Sequence, residues 1–435
     1  MILIFVEYIT ERQIFTFDFI FKRNGNAYEL TNDLERFLSF KGDKFNYSDR
    51  DIEQILQFPP ANLLFDEDIK VDIEENISSF KWNSSEILAF YKIPDPFASV
   101  FYLLADYTNY LPKKRDEHNR AIANYSLSAS FNWLEKCKAD EWTVLLLEYL
   151  IRKKFTVSLP DTKTSLLLTF DIDNTFAYKL KDGFRGKLSL LKDYLKVDRK
   201  RIAERRAVNR NELKDPYDTF DYIKDLTKNS LPVKLFYLVG DFTKFDRNIS
   251  FKDLRHQRHI NQLSKELEIG LHPSYKSNAN LSQLKEEKKR LEETIKSGVQ
   301  FSRQHFLKLN IPHTYRDLIQ LGFKDDYTSG YADAVGFRLG TSRSIPFYDL
   351  LRNEITSLML HPFAYMDGTL NQYLGLSIND AKTKVKALYD EVDKYGGEFI
   401  SIWHNETIGD NGIWKGWRAV LDETIDYHIL KNEKA

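Results

Sequence analysis

The sequence predicts an α/β fold, and three features of residues 161–435 carry that expectation. An uninterrupted apolar run from Ser165 to Phe170 (SLLLTF) leads straight into Asp171-Ile172-Asp173, as in a strand buried on both faces of a parallel sheet. Six further β-rich runs follow, at Val233–Val239, Leu267–Leu271, Val299–Phe301, Ala334–Leu339, Ser357–Leu360 and Glu398–Trp403. Helical patterns alternate with them, Phe251–Glu266 and Leu281–Ser297 being the clearest. Seven strands interleaved with helices in this way suit an α/β barrel or a doubly wound sheet. Both architectures collect their chemistry at the carboxyl ends of the strands.

Residues 1–160 read as a smaller mixed α/β domain with its boundary near Pro160. Met1–Tyr8 and Ile14–Phe21 are β-rich. The stretch PFASVFYLLADYTNY places Phe97, Val100, Phe101, Leu104 and Tyr107 at helical spacing. A polar segment, LPKKRDEHNRAIANY, separates it from a second helical pattern over Ser128–Leu150. Nothing here groups a nucleophile, a base and metal ligands, so this part is assigned packing, capping or partner binding.

Among the 435 residues, 63 Lys and Arg face 64 Asp and Glu, for a net charge of −1. No global field draws such a chain to nucleic acid or to an anionic membrane. The basic segments Lys192–Arg210 and Glu286–Lys296 mix signs and read as solvated helix surface. No window approaches the roughly 18 apolar residues of a membrane span. The opening MILIFVEYIT lacks the basic flank and cleavage pattern of a secretory signal, so a soluble, cytoplasmic protein is expected. The lone Cys137 excludes an internal disulfide and a multi-cysteine zinc site. Any metal must be held by His and carboxylates.

The Asp171/Asp173 pair leaves its strand together, so one carboxylate can ligate a metal while the other acts as base or nucleophile. Taken alone, an apolar strand followed by DxDxT resembles the first motif of haloacid dehalogenase-type phosphatases, and Asp241 with Asp246 imitates their acidic magnesium motif. That scheme needs an intervening strand ending in Ser or Thr, which is missing between Thr175 and Gly240. It also leaves three histidines idle: His272 in LEIGLHPSY, His305 in VQFSRQHFL and His404 in GGEFISIWHNE. All three stand at or just past predicted strand ends, and with the DxD pair they favour a mononuclear Asp/His metal site.

At this point the motifs resemble those of the polysaccharide deacetylases, carbohydrate esterases with a NodB homology domain. LTFDID, EIGLHPSY, VGFRLGTS and SIWHN are similar to that family's ordered motifs over residues 165–410. The chain looks most like a bacterial subgroup with an uncharacterised amino-terminal domain, through DPFASVFYLLADYTNYLP, RDEHNR, SRQHFL and MDGTL. The resemblance implies a distorted (β/α)7 barrel, a carbohydrate substrate and hydrolytic removal of an N- or O-acetyl group with a divalent metal, usually zinc. It makes Asp171 the general base, Asp173 and His272 metal ligands and His404 the general acid. Arg338, in the third motif, would orient Asp171 and lower its pKa, and a backbone N–H near it would help hold the oxyanion.

The chain departs from the family where a second histidine should follow His272 by four residues, because Lys276 stands there. His305 is the candidate third ligand in its place. His361 and Asp367, in LMLHPFAYMDGTL, read as structural, or else Asp367 orients His404. Trp403 is assigned to the core, while Trp414 and Trp417 could line a substrate rim. Loss of that histidine also leaves open a barrel that binds carbohydrate without turning it over.

Overall fold

The computed structural model describes residues 1–183, 191, 194, 195 and 197–433. Lys192, Asp193 and Lys196 of the first basic segment lie outside the described residues; the rest of it includes the helix Arg199–Asn209. No helix among the described residues is long and apolar enough to cross a membrane.

The amino-terminal portion holds a parallel sheet of β1 (Ile2–Phe5), β2 (Tyr28–Thr31), β3 (Lys44–Asn46) and β4 (Leu56–Gln57), in the order β2-β1-β3-β4. A small antiparallel sheet of β5 (Ile77–Trp82), β6 (Ser85–Phe90) and β7 (Ile93–Pro94) follows. The expected strand at Ile14–Phe21 is instead part of the helix Glu11–Ile20. Thr10 and Gln13 form a reciprocal capping box at its start, which satisfies donors that only a helix leaves open. The apolar periodicity misleads because Arg12, Gln13 and Thr16 are buried alongside Phe15, Phe17, Phe19 and Ile20, leaving no polar face to read. The helix Pro96–Leu104 starts on Asp95, whose side chain accepts from the Phe97 and Ala98 amides, with Pro96 in the first turn. The single helix expected at Ser128–Leu150 is two, Leu127–Ser130 and Lys138–Arg152, separated by Asn132 in a left-handed turn.

The large sheet has nine strands: β8 (Thr164–Ile172), β9 (Val233–Tyr237), β10 (Glu268–Leu271), β11 (Phe301–Ser302), β12 (Asp325–Asp326), β13 (Ile345–Asp349), β14 (Glu354–Leu360), β15 (Tyr365–Met366) and β16 (Gly397–His404). Their order is β13-β14-β12-β11-β10-β9-β8-β16-β15, and only β13 runs antiparallel to its neighbour. Among the described residues no ladder joins β13 to β15. The architecture is mixed α/β with one long, mainly parallel sheet.

Alternation along these strands sorts the side chains. Leu167, Phe236, Ile400 and Ile402 pack with Tyr327 and Phe363 in a compact apolar cluster. Their neighbours Leu166, Leu168, Phe170, Leu235, Tyr237, Phe399 and Trp403 belong to the main core. The period of two carries Asp171 and His404 onto the same face as the compact cluster. They are direct partners in the β8/β16 register. On β10, Gly270 leaves room for the Phe301 ring, which a Cβ would approach within 2.2 Å. His272 shares that face two residues on.

The segment Ala334–Leu339 is not a strand. Its hydrogen bonds go elsewhere: Gly336 N–H donates to Ala364 O at 2.8 Å, and Phe337 N–H to Leu134 O at 2.7 Å. Gly336 has φ +117°, and a Cβ there would lie 2.1 Å from Leu134 O. The GFRLG turn thus docks against the amino-terminal portion. Gly336→Ala is expected to lower the unfolding free energy by about 2–4 kcal/mol in denaturant titration, whereas Gly298→Ala, with open space around it, should stay within about 0.5 kcal/mol.

Candidate metal centre

Asp173, His272 and His305 come together beyond the carboxyl ends of β8, β10 and β11. Their ligand atoms all lie within 4.8 Å of one another, a group able to hold a metal ion. His272 Nε2 is 3.1 Å from Asp173 Oδ1, and His305 Nε2 is 3.3 Å from Asp173 Oδ2. His272 follows β10 directly, and His305 begins the short 3₁₀ turn His305–Leu307 after β11. Lys276 is exposed on the turn beyond His272.

The second ring nitrogens define the tautomers. His272 Nδ1 lies 2.6 Å from the Arg303 carbonyl oxygen, which can only accept, so Nδ1 carries the proton. His305 Nδ1 lies 2.9 Å from Asp246 Oδ1. The Asp246 carboxylate is itself fixed by the Tyr275 amide and the Thr243 hydroxyl. Both histidines therefore aim Nε2 at Asp173, each backed by an oxygen acceptor as in metal-binding histidines. Asp173 Oδ1 is buried without a hydrogen bond. Two imidazole nitrogens and an orphaned carboxylate oxygen fit a divalent cation such as zinc.

Asp171 and His404 flank this trio. Arg303, completely buried, donates Nη1–H to Asp171 Oδ1 at 2.8 Å and Nε–H to the Tyr327 carbonyl at 3.0 Å. Its guanidinium stacks 4.2 Å from the Phe236 ring centroid. Asp171 Oδ2 faces His272 Nε2 at 3.9 Å. His404 Nε2 stands 3.8 Å from Asp173 Oδ2, while its Nδ1 meets Asp367 Oδ1 at 2.9 Å. Asp367 also accepts from the His404 amide and the Thr407 hydroxyl.

The electrostatics follow from these neighbours. Burial works to raise Asp173, but His305 and His272 prevail and hold it well below the usual carboxylate range. Burial works to lower His305, and Asp173 with Asp246 overcomes it, raising the ring to about 9. Burial likewise opposes charge on His404, yet Asp367, Asp173 and Asp171 hold it well above its ordinary value.

Arg338 does not reach Asp171. Its Nε–H and Nη2–H donate to Asp106 Oδ2 at 3.0 and 2.8 Å, and Nη1–H to Gly330 O. The docking of the GFRLG turn on the amino-terminal portion carries the guanidinium to Asp106, and Arg303 occupies the position beside Asp171. Alternation from Phe301 through Arg303 was the available signal for that arginine. Asp246 stood out in the sequence only as an acid of a phosphatase-like motif; its contact with His305 spans 59 residues. Asp241, the other acid of that motif, pairs with Arg290 instead. His361 bonds Asp325 at 2.8 Å, away from Asp367. Trp403 is fully buried and Trp417 nearly so, while Trp414 is half-buried.

A family model described as "Family of unknown function (DUF7033)" matches residues 2–155. No curated protein matches the chain. Among solved structures, the chain is similar to one described as "putative polysaccharide deacetylase from Mycobacterium smegmatis", at 17% identity and TM-score 0.40, covering 62% of this chain and 85% of that one. It is also similar to the Puue allantoinase, at 14% identity and TM-score 0.38, covering 61% and 83%. A polysaccharide deacetylase from Bacillus cereus aligns at 10% identity and TM-score 0.30, covering 62% and 88%. At such scores these likenesses carry no argument about the site, whose chemistry rests on its own geometry.

His305 is raised from 6.5 to about 9 in the fold. Its contribution to stability is therefore complete below pH 6.5 and lost as pH rises through 9. In chelator, unfolding free energy should fall across that window, and His305→Ala should flatten the slope.

Proposed function

We propose that the chain is a metal-dependent hydrolase that removes acetyl groups from an N- or O-acetylated sugar or polysaccharide, with residues 161–435 as its catalytic part. The observation that carries this reading is the convergence of His272 Nε2, His305 Nε2 and Asp173, with the Asp171 carboxylate 3.9 Å from His272 Nε2 and the His404 imidazole 3.8 Å from Asp173 Oδ2. The motif resemblance names the substrate class, and a near-neutral chain suits an uncharged sugar better than a polyanion.

Asp173, His272 and His305 would hold the metal, with zinc the best match to two imidazoles and a carboxylate. When bound, such an ion polarises an acyl carbonyl and lowers the pKa of a nearby water. Asp171 serves as general base: Arg303 pins one oxygen and leaves the other facing the centre. His404 serves as general acid. Asp367 keeps its ring charged and oriented with Nε2 toward the centre, ready to protonate the leaving amine or alkoxide. Arg303 thus takes the orienting role that the resemblance gave to Arg338. The overall reaction adds water across the acyl–nitrogen or acyl–oxygen bond, releasing acetate and the free sugar amine or hydroxyl.

Asp171→Asn should lower kcat on acetylated sugars by about 10²- to 10⁴-fold while zinc content stays at the wild-type level. Unchanged hydrolysis would remove Asp171 from this role. Wild-type protein that takes up no stoichiometric metal from zinc-containing buffer would favour a carbohydrate-binding protein without turnover. Magnesium-dependent phosphate release that survives His272→Ala would favour a phosphatase.

A further inference from the structure

The polar segment RDEHNR, to which the sequence assigned no chemistry, reaches from the amino-terminal portion to the turn that carries His305. Arg115 and Ala121 pair as an antiparallel bridge that closes this loop. Within it Asp116 accepts from the His118 and Arg120 amides and from Arg120 Nε–H at 2.6 Å. The buried guanidinium of Arg120 is thereby held rigid, with its remaining donors directed outward from the loop. Nη1–H donates to the Phe306 carbonyl at 2.9 Å and Nη2–H to the Tyr373 hydroxyl at 2.9 Å.

Phe306 immediately follows His305 and has φ 62°, and Leu307 has φ 54°. Two consecutive left-handed residues with side chains are disfavoured locally and persist only when surroundings impose them. Arg120 fixes the carbonyl of the first. His118 packs edge-on against the Phe306 ring at 4.9 Å, and Tyr275 and Phe245 close the other sides at 5.4 and 5.5 Å. On its amino side His305 is held by its own amide, which donates to the Pro273 carbonyl at 3.2 Å, and at Nδ1 by Asp246; on its carboxyl side the chain direction is set by this turn.

We infer that Arg120 is a positioning residue for the third metal ligand: through the Phe306 carbonyl it holds the left-handed turn that aims His305 Nε2 at Asp173. The inference rests on the metal-centre reading above. It also gives the amino-terminal portion a part in the centre itself, through a residue more than 180 positions away in the chain.

Zinc affinity, measured by competition with a chromogenic chelator on the full chain, tests this with wild type, Arg120→Ala, His305→Ala and the double variant. Arg120→Ala should weaken zinc binding by about 10- to 100-fold, the usual cost of losing a group that orients a ligand. Because Arg120 acts through His305, the double variant should bind no more weakly than His305→Ala alone. Equal affinity of Arg120→Ala and wild type overturns the inference, as do losses that multiply in the double variant. Should Arg120→Ala fail to fold by circular dichroism, Arg120→Lys keeps the buried charge but not the fork. A several-fold loss there supports the inference and wild-type affinity overturns it. A wild-type protein that binds no zinc overturns the metal-centre reading, and this inference with it, whereas zinc binding untouched by Arg120 overturns the inference alone.

Discussion

Asp173 sits one residue beyond the end of β8, where its two oxygens face His272 and His305 from neighbouring strand ends, and most of the surrounding structure follows from the need to keep that arrangement together. Three groups that share or compete for protons at about 3 Å repel one another unless the rings are charged or a cation sits between them. The protein meets this strain by surrounding the trio with acceptors for the outer imidazole nitrogens: the Arg303 carbonyl, Asp246 and, for His404, Asp367. Asp246 and Asp367 are themselves fixed by backbone and hydroxyl donors. Orientation is therefore built outward from one carboxylate, through rings and their acceptors, to the backbone amides of Tyr275 and His404.

The strand-end residues were legible in the sequence because they obey local rules. Asp171, Asp173, His272 and His404 each end or follow an apolar run, and period-two alternation puts them on one face. His305 could be proposed as a ligand because Lys276 disqualified the usual position. The partners that act on these residues were not legible. Arg303, Asp246 and Arg120 meet their targets across separations of 132, 59 and 186 residues, and no local pattern encodes such a distance. Arg338 is the converse case. Its motif placed it beside Asp171, but the left-handed Gly336 and its contact with Leu134 turn that segment toward Asp106. The helix Glu11–Ile20 escaped for a packing reason, since burial on most sides erases the amphipathic stripe by which helices are recognised.

The two portions of the chain are physically less separate than the sequence suggests. Residues 155–163 lack regular structure, yet the main apolar core runs through both sides of that stretch. Tyr348 of β13 packs on Phe15 and Phe101 at 5.0 and 5.3 Å, and Arg12 bonds Asn353 just before β14. The motifs DPFASVFYLLADYTNYLP and GFRLGTS thus have a shared physical basis: one supplies Asp106 and the other the buried Arg338, and the two form an ion pair.

The cross-strand partnership of Asp171 and His404 also bears on how such a sequence can change over time. Asp171 and His404 are partners on one rung of the ladder, so a single residue inserted in β16 before Ile400 would put Trp403 in the place of His404 and turn Ile400 and Ile402 to the opposite face. A change of length in a connecting loop, by contrast, leaves this register and the pairing of Asp171 with His404 as they are. The loops of this scaffold thus tolerate changes of length, while its strand register admits only substitution.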